Sequence, residues 1–86
     1  MNNDAFTAAI GTRLRVARDA VGLTQADVAL RAGLTQGFIS SLEAGNCGAS
    51  VQTLSRLAAT VGVSLAVLLG DSPAPPKVDA ERSAAG

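Results

Sequence analysis

Apolar residues recur along this chain at helical spacing. Phe6, Ile10, Leu14, Ala17 and Val21 follow one another at intervals of four and three, which places all five on one stripe of a helix from about Asp4 to Val21. Gly11 interrupts that helix at a cost of ~1 kcal/mol relative to Ala, which is tolerable where another backbone must approach. A second helix, from about Gln25 to Ala32, opens with Thr24-Gln25-Ala26-Asp27, in which Asp27 stands where the acidic half of a capping box belongs. Its core side is Val28 and Ala29, with Ala32 behind. The third, from about Gln36 to Ala44, turns Ile39 and Leu42 inward, and Leu34 packs just ahead of it. The fourth runs from about Val51 to Val61 on Leu54, Leu57, Ala58 and Val61, and the fifth, Leu65 to Leu69, closes the domain. No segment alternates with period two for long enough to make a strand.

Stop and start signals agree with this division. Gly22, Gly33, Gly45, Gly62 and Gly70 each follow an apolar pattern, as residues that end helices in the left-handed conformation do. Thr24, Thr35, Ser50 and Ser64 stand at the N-cap positions. After Gly70 the chain changes to DSPAPPKVDAERSAAG, which has too little apolar surface to offset the entropy of ordering. Residues 1–70 are therefore expected to form one folded unit. Residues 71–86 are read as a disordered Pro/Ala-rich tail, a flexible terminus or a peptide for a protein partner.

Composition narrows the class. Of 86 residues 48% are apolar, yet only two are aromatic and seventeen are Ala, so the core is built from aliphatics on close-packed helices. The fold class is all-α. So short a domain buries only roughly 60% of the surface its unfolded chain exposes, which favours a homodimer. The length also predicts that no separate ligand-sensing domain accompanies it. Lys/Arg and Asp/Glu balance at seven each. With no His and the single Cys47, the usual general base and the zinc constellations are missing, so no cofactor, metal or catalysis is expected. Neither a signal peptide nor a membrane-spanning segment is apparent, and the expected compartment is a reducing cytoplasm.

The informative stretch lies between residues 23 and 45. Ala32-Gly33-Leu34-Thr35 joins two short helices through a tight turn in which Gly supplies positive φ and Leu tucks into the angle, a helix-turn-helix arrangement. From Ile10 to Gly70 the chain resembles the Cro and lambda-repressor-like, or XRE-type, family. The marks are Gly22-Leu23-Thr24-Gln25, Ala29 with Ala32-Gly33, Ile39-Ser40 followed by Leu42-Glu43 and Gly45, and Val61-Gly62-Val63-Ser64 with Leu68-Leu69. The resemblance implies a compact five-helix domain that binds double-stranded operator DNA, a palindrome, as a two-fold dimer.

With Ile39 and Leu42 inward, the opposite face of the third helix carries Gly37, Ser40, Ser41 and Ala44, with Gln36 projecting at its start. These small, neutral residues let a helix lie deep in a major groove. The Gln36 carboxamide matches the donor and acceptor of adenine N6 and N7, and its position corresponds to a base-reading Gln in the family. Gly37 departs from the family, where a longer side chain usually reaches the groove, so DNA shape is expected to carry more of the readout. Gln25, at the positive end of the second helix, matches the family's phosphate contact, with the hydroxyls of Thr24 and Thr35 beside it. Relatives commonly carry Lys or Arg in the loop of residues 46–50. Here Asn46 and backbone amides must serve, with Arg13, Arg15 and Arg31 as further phosphate candidates.

Arg18 and Glu43 sit at the edges of their apolar stripes and match positions that form a partly buried ion pair in the family. Ala66 and Val67, outside the anchors Leu65, Leu68 and Leu69, are candidate dimer contacts. Cys47 reads as an inert spacer more than as a redox-sensitive thiol, since no cation near it in sequence would favour the thiolate. The reading reached is a transcriptional regulator, most simply a repressor. Alternatives of the same fold are a restriction-modification controller or an antitoxin. A protein-interaction module without DNA binding is the remaining one, favoured by the zero net charge and opposed by Gln25 and Gln36.

Overall fold

The computed structural model describes residues 4–70. Five helices follow in order: α1 (Asp4–Ala20), α2 (Gln25–Ala32), α3 (Gln36–Glu43), α4 (Val51–Val61) and α5 (Leu65–Leu69). The expected tail lies outside the described residues. Each of α2 to α5 starts on the hydroxyl expected for it. Thr24, Thr35, Ser50 and Ser64 accept, respectively, the backbone N–H of Asp27, Phe38, Thr53 and Val67, so one donor left over at each helix start is satisfied. At α2 the bond is reciprocated, Thr24 N–H donating to Asp27 Oδ2 at 2.9 Å. These bonds hold the Asp27 carboxyl below its usual range, first through the Thr24 backbone and then through its hydroxyl.

α1 packs on α3, α4 and α5, and α2 on α3 and α4, with the core between them. Leu14, Ile39, Leu42, Leu57 and Leu68 are its largest fully buried side chains, joined by Val28 and Val61. Two stripe residues of α1 depart from expectation, for Phe6 is 53% and Val21 50% exposed. Phe6 lies a full turn ahead of Ile10 and borders an open groove with Val51 and Leu69, where no helix among the described residues covers it. Val21 falls beyond the end of α1, in the turn completed by Gly22. Ala44 likewise stands outside α3, as its C-cap.

Close backbone approach explains Gly11. A Cβ there would run into the carbonyl oxygen of Leu42 and lie 3.0 Å from the Glu43 Cα. At the other side of this contact Gly45, at φ 80°, leaves room for Ala8, whose Cβ is 3.2 Å from where a Gly45 Cβ would stand. The C-terminal end of α3 is thus seated directly on α1.

Candidate nucleic-acid interface

The turn between α2 and α3 is three residues long. Gly33 takes φ 73° and ψ 33°, and Leu34 N–H donates back to the Ala29 carbonyl at 2.8 Å, which closes the end of α2. Arg56 of α4 reaches the same end, its Nη1 donating to the Ala32 carbonyl at 3.2 Å. α3 is therefore fixed at both ends while one face stays clear. Gln36, Gly37, Ser40 and Ala44 are exposed, and Ser41 is half-buried. A Cβ added at Gly37 would meet nothing within 4 Å beyond its own helix. Phe38, which the sequence pattern did not single out, is half-buried against the core between Gly37 and Ile39.

Thr24 and Thr35 each spend an acceptor lone pair on capping; the hydroxyl hydrogen of Thr35 stays available for an outside acceptor, while that of Thr24 is shared with the Asp27 carboxylate. Asn46 is exposed, while its backbone N–H donates to the Ser41 carbonyl at 2.9 Å. Arg15 and Arg31 are exposed. Arg13 is placed otherwise than expected. Its Nη1 donates to the Leu68 carbonyl at 3.4 Å and its guanidinium lies against Gly70, because the carbonyls at the end of α5 offer a cation a better-ordered partner than water does.

Three helices meet at one carboxylate. Arg18 Nε donates to Glu43 Oε2 at 2.7 Å and Nη2 to Oε1 at 2.9 Å, a two-point pairing, while Nη1 donates to the Leu23 carbonyl at 2.8 Å. The side chains are only 11% and 4% exposed. Hydrogen bonding to Glu43 raises the Arg18 pKa further above its ordinary value, against the opposing effect of burial. The Gln25 Nε2 also donates to Glu43 Oε1, at 3.0 Å. This bond joins residues that the sequence reading had given separate roles.

On the other side of the molecule's sequence order, Ala66 and Val67 are half-buried on α5. Val67 borders a shallow apolar groove with Val16, Ala20 and Val63. Cys47 is half-buried and packs against the core. Among the described residues, no helix is long and apolar enough to cross a membrane.

Two helices set by a three-residue turn, the second presenting a face of small and polar side chains, define a helix-turn-helix unit. A helix-turn-helix domain family matches residues 9–69, and the chain belongs to that family. It is 42% identical over 55 residues, 64% of this chain and 71% of the relative, to an uncharacterized HTH-type transcriptional regulator, y4dJ, of Sinorhizobium fredii (strain NBRC 101917 / NGR234). Among solved structures it is similar to the restriction-modification controller protein C.AhdI from Aeromonas hydrophila. Identity there is 28%, with a TM-score of 0.75 over 79% of this chain and 99% of that one. The clp gene regulator ClgR from Corynebacterium glutamicum matches at 29% identity and a TM-score of 0.73, over 77% of this chain and 85% of that one. The XRE-type, five-helix reading is thereby established, and the family is one of transcription regulators rather than enzymes.

Proposed function

We propose that the chain is a transcriptional repressor that binds a palindromic operator as a homodimer, with α3 in the major groove. The observation that carries this reading is the outward face of α3, where Gln36 stands exposed at the start of the helix among residues too small to hold it off the bases. Gln36 reads an adenine edge, and Gly37, Ser40 and Ser41 lie along the groove floor. Gln25, Thr24, Thr35, Asn46, Arg15 and Arg31 contact phosphates, and Ala66 and Val67 contribute to the dimer. DNA is the partner, in the cytoplasm, and no cofactor takes part.

Selection of bound sequences from a random DNA pool tests the reading. The expected product is an inverted repeat with half-site centres about one helical turn, ~34 Å, apart. Gln36→Ala should cost ~1–3 kcal/mol of discrimination at one base pair per half-site, and leave affinity for unrelated DNA nearly unchanged. A uniform loss across all single-base variants would make Gln36 a backbone contact. Similarity over nearly the whole length of the controller protein C.AhdI supports a second reading, a restriction-modification controller. A reporter driven by the selected operator separates them, since a controller able to activate raises expression at low dose and a plain repressor only lowers it.

A further inference from the structure

The geometry points to Glu43 as a positioning residue for the DNA backbone: by holding the Gln25 carboxamide, it lets the reading helix set the aim of the phosphate grip. This inference rests on the DNA-binding reading above. Gln25 is the first residue of α2, half-buried, with one Nε2–H engaged by Glu43 Oε1 at 3.0 Å. A carboxamide nitrogen has two donors, so one N–H remains, and its direction is fixed once the other is bound. Glu43 is itself held, since Arg18 donates to both of its oxygens and its side chain is 4% exposed. The Arg18 guanidinium offsets the carboxylate charge on the spot, so a phosphate can approach Gln25 without meeting a bare anion.

Physically, the clamp settles in advance a side-chain freedom that Gln25 would otherwise lose on binding. Because Glu43 is the last residue of α3, the grip on the phosphate and the helix that reads bases share one rigid mounting. A Gln that was merely solvated would need none of this.

A double-mutant cycle on the full chain tests the proposal, with affinity for an unrelated duplex and melting temperature as paired readouts. Gln25→Ala should weaken binding about fivefold, the scale of one ordered side chain, in protein that the melting curve shows to be folded at the assay temperature. In the Arg18→Met/Glu43→Leu background, where apolar side chains replace the buried pair, binding should already be weaker by a similar factor, and Gln25→Ala should add nothing. An equal loss from Gln25→Ala in both backgrounds would overturn the positioning role and leave the phosphate contact standing. No loss in either background, with DNA still bound, would overturn both while sparing the DNA-binding reading. Absence of DNA binding by the unaltered chain would sink that reading itself.

Nuclear relaxation of side-chain amides in the unaltered, DNA-free chain supplies a readout that does not depend on any variant folding. The Gln25 amide should be far more ordered than that of exposed Gln52. Equal mobility of the two would overturn the clamp.

Discussion

Two glycines show how a single missing Cβ takes opposite meanings. Replacing Gly by Ala in a helix ordinarily adds ~0.5–1 kcal/mol of stability. A Cβ added at Gly37 would meet nothing within 4 Å beyond its own helix, so Gly37→Ala should raise the melting temperature by a few degrees. At Gly11 the new methyl meets the backbone of Leu42 and Glu43, which cannot rotate aside, and overpacking of ~1–3 kcal/mol outweighs the gain. Gly11→Ala should therefore lower it, as calorimetry of the two variants side by side will show. Arg18→Ala belongs with the second kind, because the Glu43 side chain, 4% exposed in the pair, is left without its cation. The expected cost is about 3 kcal/mol, or roughly 15 °C of melting temperature in a domain of this size. An unshifted melting temperature combined with lost DNA binding would instead make Arg18 a DNA contact. The sequence announced Gly11 as a site of close approach, because an interior glycine in a helix needs a reason. It did not disclose the partners of Arg13, which reads as a phosphate candidate, or of Arg56, since the carbonyls they bind lie 55 and 24 residues away, and a charge does not reveal its nearest acceptor.

The helices owe their limits to bonds spanning only three residues, which is why their starts were legible from the amino-acid order alone. Hydroxyl to N–H capping between positions i and i+3 is a local matter, decided before any tertiary contact forms. Removing one such cap by Thr35→Ala should cost ~1 kcal/mol of stability, read by chemical denaturation. The reciprocal cap of α2 adds a pH dependence. Asp27 has its carboxyl pKa lowered in the folded chain, so its contribution is complete above the unfolded value and fades as pH falls through the folded one. The melting-temperature gap between the unaltered chain and Asp27→Asn should thus be steady near neutrality and narrow below about pH 4. Other carboxylates titrate in both proteins and cancel in the difference. A gap that widens in acid would reverse the assigned sign. Where periodicity misled, at Phe6 and Val21, the stripe was real but extended past the partner helices that give a stripe its meaning. Spacing reports direction around an axis, and burial also depends on where along that axis a neighbour stops.

The whole molecule carries no formal net charge, and among the described residues Arg13, Arg18 and Arg56 are employed within the fold. Arg15 and Arg31 stand exposed without a hydrogen bond or ion pair among the described residues. Attraction to DNA should accordingly be modest. With about four to six phosphates neutralised per dimer, the slope of log affinity against log salt should be about −4 to −5, and a slope beyond about −10 would require cationic contacts the fold does not offer. The candidate base-reading face was legible because α3 is short and only two of its residues are fully buried, leaving the outside plain by subtraction. The Gln25 to Glu43 bond was not, since it joins residues 18 apart and depends on the angle at which two helices are set. Within α3 the labour is divided: Ile39, Leu42 and Glu43 fasten it, whereas the exposed side of Gln36, Gly37 and Ser40 takes no part in holding it down. Three codons can therefore drift while the scaffold stays put. Duplicated genes built on this chain would have a short mutational route to separate operators, and a library randomised at those three positions should yield mostly folded proteins with new, mutually indifferent DNA targets.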